Sequence, residues 1–198
     1  MAKNTYQTPE EYELDLRKTL TSLTQNQSWD SRDMLGLKNI AQSIHTHITY
    51  LIGKKFLSDL NLPQDNFKYA DMCKNGYDIE LQDVNGKQIV AEIKGNLPLN
   101  GTTYGAEQKR GIIDNIKDLT IGKSKAMHKT EESLENVYRF LILLDNNENA
   151  INNLINNLCK RNKYNLDYFT IWRTDTPLND GFLEKCKPNI INVVFISL

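Results

Sequence analysis

The chain has 198 residues, 25% of them charged and 39% hydrophobic, with a formal net charge of −1 at pH 7, values ordinary for a soluble globular protein and without the basic surplus that usually marks nucleic-acid binders. No apolar run approaches the length of a membrane span, and the opening MAKNTYQTPEEYE has no signal-peptide core, so no membrane association is expected. Cys73, Cys159 and Cys186 have no metal-ligand spacing and cannot all pair, which points to structural thiols in a reducing cytoplasm.

In chain order, Thr8-Pro9-Glu10-Glu11 predicts a helix start, with Thr8 as N-cap, Pro9 in the first turn and Glu11 closing a capping box. Tyr12, Leu16, Leu20 and Leu23 mark one face, and the helix fades near Gln25. A longer helix follows the Ser28–Asp33 turn. Its apolar positions Leu37, Ile40, Ala41, Ile44, Ile48, Leu51, Ile52 and Leu60 keep helical spacing, and Asn61-Leu62-Pro63 ends it. A polar connector then leads to Asn75.

Residues Asn75 to Asn96, NGYDIELQDVNGKQIVAEIKGN, read as a β-hairpin with strict alternation on both strands. A two-residue turn at Asn85-Gly86 would set Asp78 against Ile93 and place apolar residues opposite charged ones throughout. A three-residue loop, Val84-Asn85-Gly86, with Gly86 left-handed, instead pairs Tyr77 with Ile93, Ile79 with Ala91 and Leu81 with Ile89. A one-residue slip turns every side chain over, so the clean apolar face selects the second register. That register places Asp78 directly opposite Glu92, with Lys94 two residues further along the same face.

After Lys94 comes a glycine-rich loop, GNLPLNGTTYG. A third helix starts near Gly105, with Ile112, Ile113, Ile116 and Leu119 as its buried stripe. Val137–Leu144 is nearly continuous apolar sequence, the mark of a central strand covered on both faces. Ile151, Leu154, Ile155 and Leu158 define a fourth helix, within an Asn-rich stretch that keeps its helical stripe. Tyr168–Arg173 and Ile190–Ser197 read as strands separated by a turn-rich loop at Thr174–Gly181. The order predicts an α/β fold: a mixed β-sheet core flanked by helices, with an antiparallel hairpin at one side. One domain is expected over 1–198, with N-terminal helices over 1–62 and a hairpin-centred core over 75–198.

Two carboxylates opposed across a hairpin repel each other. A divalent cation between them removes that repulsion, and Mg²⁺ uses one or two carboxylates plus water and phosphate oxygens. An acid pair beside a lysine therefore suggests metal-assisted phosphodiester hydrolysis. An acid-x-base triplet alone carries nothing, since Asp15-Leu-Arg17, Asp30-Ser-Arg32 and Glu107-Gln-Lys109 share it. The distinguishing feature is the conjunction of opposed acids, a strand that carries them, and the helix and buried strand that follow.

Asp78 on one strand and Glu92-Ile93-Lys94 on the next, followed by a helix and a buried strand, resemble the PD-(D/E)XK nuclease superfamily, and within it type II restriction endonucleases. The matching order runs from about residue 34 to 145. The resemblance implies a restriction-endonuclease-like core, with Asp78, Glu92 and the backbone carbonyl of Ile93 holding Mg²⁺. Lys94 would orient or help deprotonate the attacking water and stabilise charge on the phosphate. The proline of the family name is absent, Tyr77 standing before Asp78. Gly76-Tyr77-Asp78 resembles the variant of Holliday-junction resolvases and some restriction enzymes. The long helix has no interior acid, its polar candidates being Gln42, His45 and His47 with Asp59 near its end, so one metal position is implied rather than two.

From Gly105 to Lys129 six Lys/Arg stand against three acids. Gln108, Lys109 and Arg110 open the third helix, where they suit phosphate or base edges, and equally an ordinary polar face. Lys123, Lys125 and Lys129, with His128, form the densest basic patch and suit phosphate contacts. His45 and His47 read as helix-boundary residues, and Trp29 and Trp172 as structural. The leading expectation is a cytoplasmic, Mg²⁺-dependent type II restriction endonuclease, a homodimer cutting double-stranded DNA at a short site, with a cognate DNA methyltransferase as genetic partner. The alternatives are a structure-selective nuclease of junction-resolvase or repair type, and a non-catalytic DNA-binding module with a nuclease-like fold.

Overall fold

A computed structural model describes residues 31–65, 67–68, 76–123, 126, 130, 134–161, 163–179 and 181–198, with Thr8, Glu11, Leu14, Arg17 and Lys18; over 31–40 and at 43 the description is of backbone alone. The expected N-cap is present, with the Glu11 N–H donating to Thr8 Oγ1 at 3.2 Å. The stripe expected at Tyr12, Leu16, Leu20 and Leu23 lies outside the described residues, as do Trp29 and Cys73.

Helix α1 spans Ser31–Asp59. It ends where the sequence places the stop, because Asn61 takes a left-handed conformation (φ 50°) and the Leu62 N–H returns to the Leu57 carbonyl at 2.8 Å. Strands β1 (Ile79–Gln82) and β2 (Gln88–Lys94) form the hairpin, followed by α2 (Ala106–Ile121), β3 (Tyr138–Leu144) and α3 (Glu148–Lys160). A short strand β4 (Phe169–Ile171), a one-turn helix α4 (Phe182–Lys185) and β5 (Ile191–Ile196) complete the order. The five strands make one mixed sheet ordered β1-β2-β3-β5-β4, with β1 antiparallel to β2 and every other pair parallel.

Both faces of the sheet are covered. On one, Val90, Leu141, Leu143 and Val193 pack against Ile112, Ile116 and Leu119 of α2 and Ile151, Leu154 and Ile155 of α3. On the other, Ile89, Ala91, Ile93, Phe140 and Val194 pack against Ile52, Phe56 and Leu57 of α1 and Phe182 of α4. Successive side chains of β2 and β3 therefore serve opposite cores, which is why both strands read as continuous apolar runs. Trp172 is structural, as expected: its ring lies 4.8 Å from that of Phe182 and its Nε1 donates to Asn192 Oδ1. Among the described residues, no helix is long and apolar enough to cross a membrane.

The expected stripe on α1 needs correction. Ala41, Ile44 and Leu51 are exposed, whereas Ile52, Phe56, Leu57 and Leu60 are buried and Ile48 partly so. Apolar residues occupy more than one arc of this helix, and only the arc that meets the sheet is covered.

Candidate functional site

The hairpin turn is built as its sequence dictates. The Gly86 N–H donates to the Asp83 carbonyl at 3.1 Å, and the Asp83 N–H to the Lys87 carbonyl at 2.9 Å. Gly86 is left-handed at φ 83°. The Asp83 carboxylate fastens the loop by accepting from the N–H groups of Asn85 (2.9 Å) and Lys87 (2.7 Å). This three-residue bulged loop fixes the register at Ile79 opposite Ala91 and Leu81 opposite Ile89. One residue beyond the ladder, that register sets Asp78 against Glu92.

Antiparallel pairs alternate between those that exchange backbone hydrogen bonds and those that do not. The Asp83 N–H donates to the Lys87 carbonyl, which marks that pair as a hydrogen-bonded one, so by alternation Ile79–Ala91 is another and Tyr77–Ile93 would be next. The ladder stops short of it. The Ile93 N–H donates instead to Asp78 Oδ2 at 2.8 Å, and the Ile93 carbonyl projects from the same edge of the strand. Tyr77 thereby departs from the expected alternation. Its ring packs in the α2-side core, and its hydroxyl donates to the Asp118 carbonyl at 2.9 Å. The chain bends at Asp78, where a side chain replaces the ladder bond, and that turns the preceding residue to the other face.

Glu92 sits under α2 and is buried, 3% exposed. Its partner is Lys123, whose Nζ lies 2.6 Å from Glu92 Oε1 and 3.8 Å from Asp118 Oδ2. The same ammonium stands 5.6 Å from the centre of the Tyr77 ring. Burial and the charge of Asp78 push Glu92 up to about 8, against the opposing pull of Lys123 and Lys94. Asp78 is also raised, by burial first, with the Ile93 N–H, Lys123, Lys94 and His45 all favouring its ionised form. Lys123 is raised, because its acidic neighbours outweigh its burial.

Lys94 is partly buried, its Nζ resting 3.8 Å from where a Cβ on Gly111 of α2 would stand. Among the described residues it makes no ion pair. His45 of α1 approaches from the other side: burial and Lys94 lower its pKa, and Asp78 raises it. Of the polar candidates on the helix without an interior acid, His45 stands near enough for the charges of Lys94 and Asp78 to act on it.

The other predicted contacts are scattered. Gln108 caps α2, its Oε1 accepting from the Gly105 N–H at 3.1 Å, while its Nε2 donates to the Leu97 carbonyl at 3.2 Å. Arg110 is exposed and pairs with Glu107 at 2.6 Å, and Lys109 is partly buried one residue away. Lys123, expected beside the DNA backbone, stands inside the acidic cluster. Lys125, His128 and Lys129 lie outside the described residues.

The donor set suits a hard cation. Two carboxylates and a backbone carbonyl near one strand edge are oxygen ligands of the kind Mg²⁺ prefers, and both acids are held above their ordinary range, by burial first. Among the described residues no group of three or more His, Cys, Asp and Glu side chains is placed to share an ion. Comparison with protein-family models, with curated proteins and with solved structures finds no match to the chain.

Proposed function

We propose that the chain is a Mg²⁺-dependent endonuclease of the PD-(D/E)XK type, acting on double-stranded DNA as a homodimeric type II restriction enzyme. The observation that supports this reading is the hairpin register, whose ladder ends one residue short of Asp78 and leaves its charge acting on Glu92, with Lys94 on the same strand as Glu92. The sheet supports it as well, since an antiparallel hairpin leads through a helix into a parallel buried strand. Asp78, Glu92 and the Ile93 carbonyl would hold the cation, which supplies Lewis-acid polarisation of the phosphodiester when bound. Lys94, free of any ion pair among the described residues, is available to take up the proton of the attacking water or to bind a phosphate oxygen. Asp78 also holds the strand at Ile93 by accepting from its N–H.

The test is cleavage of plasmid, phage and branched DNA by the purified protein, with Mg²⁺ or with EDTA. Discrete fragments from duplex DNA, abolished by EDTA, are the expected result. Cleavage of branched DNA alone would transfer the reading to a structure-selective nuclease, and no metal-dependent cleavage would reduce it to a non-catalytic module.

A further inference from the structure

Lys123 has a place in the site that the metal reading does not use. It comes from the end of α2, thirty-one residues away in sequence from Glu92, and reaches that carboxylate at 2.6 Å. The preceding Gly122 makes this possible: its backbone (φ 92°, ψ 162°) lies where residues with a Cβ rarely go, and it turns the chain back over the strand. Lys123 also has supports besides Glu92, namely the Asp118 carboxylate at 3.8 Å and the Tyr77 ring. An ammonium with two further partners can leave the first without being stranded.

Resting on the metal reading above, we infer that Lys123 is an exchangeable counter-ion. It pairs with Glu92 in the metal-free protein, and moves to Asp118 and Tyr77 when Asp78 and Glu92 take a divalent cation. Lys123 and the cation compete for one carboxylate, so the lysine weakens metal binding while it protects the empty site from charge repulsion. Lys123 is on this account a positioning residue, acting through Glu92.

Calorimetric titration with Mg²⁺ and with Mn²⁺ in the absence of DNA tests the exchange. Lys123→Gln is expected to bind the cation on the order of tenfold more tightly than the wild type, as removal of one adjacent positive charge implies. Lys123→Arg, which keeps the charge, is expected to bind no more tightly. Equal or weaker binding by Lys123→Gln would overturn the exchange and leave Lys123 as a structural prop. Should that variant not fold, the wild type still decides: the Lys123 ammonium resonance in ¹⁵N-labelled protein moves on metal addition if the pair breaks, and stays if it does not. Saturable wild-type binding that Asp78→Asn abolishes keeps the metal reading intact whatever Lys123 does. Absence of such binding overturns both.

Discussion

Glu92 is the residue whose state says most about this site. Its folded pKa of about 8 stands above the ordinary 4.5, so between those values the folded protein keeps a proton that the unfolded chain has released. The stability from that proton is fully present below the ordinary carboxylate range and is lost as pH rises towards 8. Asp78 shifts in the same direction, so the titration belongs to the pair. The thermal midpoint of metal-free protein should therefore fall as pH is raised from about 5 to about 8. Glu92→Gln should flatten that dependence, and an unchanged slope in the variant would remove Glu92 as its source. Lys94→Ala should leave the fold intact and lower the cleavage rate by about a hundredfold or more, the usual scale for a positioned proton-transfer group. A rate within a few-fold of wild type would show that Lys94 has no such task. At this scale the sequence was legible where local rules decide. Asp78 and Glu92 could be paired because alternation admits one register. The Lys123–Glu92 pair is not legible in sequence, because it is fixed by the docking of α2, and which of the polar residues of α1 nears the site is likewise a tertiary choice.

Among the elements, the hairpin turn controls the geometry of the carboxylate pair. A side chain at Gly86 would have to adopt φ 83°, at a cost of about 1–2 kcal/mol. Urea unfolding of Gly86→Ala should show a loss of that size, whereas a neutral substitution would mean the loop can take another shape and the register is not pinned there. Helix α1 closes the opposite face. Phe56 is fully buried, its ring 5.2 Å from that of Phe140 on β3. Phe56→Ala should cost about 3–5 kcal/mol through lost burial and a cavity that the sheet cannot fill. A loss below about 1 kcal/mol would contradict the close docking of helix on sheet. The turn was readable from Asn85-Gly86 and its flanking alternation, and the stop of α1 from Asn61-Leu62-Pro63. Which arc of α1 is buried was not, because Ile44 and Leu51 are as apolar as Ile52, and only the contact with β2 and β3 separates them.

For the molecule as a whole, the order of elements and the mixed five-stranded sheet follow from the pattern of apolar runs. Parallel strands buried on both faces announce themselves as β3 and β5 do, and a hairpin is marked by its turn. The short α4 was not foreseen, four residues being too few to show a period. What the sheet does for the site is to bury Glu92 in its second strand, leave β1 at an edge, and bring α1 and α2 over opposite faces so that His45 and Lys123 arrive from separate directions. Asp78 and Glu92 are proposed to form a cation site that cleaves DNA. The most direct test of this proposal is the rate of duplex cleavage as a function of Mg²⁺ concentration, for the wild type and Asp78→Asn side by side. A saturating, EDTA-sensitive rate in the wild type and a loss of about a hundredfold or more in Asp78→Asn are predicted. Equal rates in the two proteins, or a rate indifferent to Mg²⁺, would contradict it.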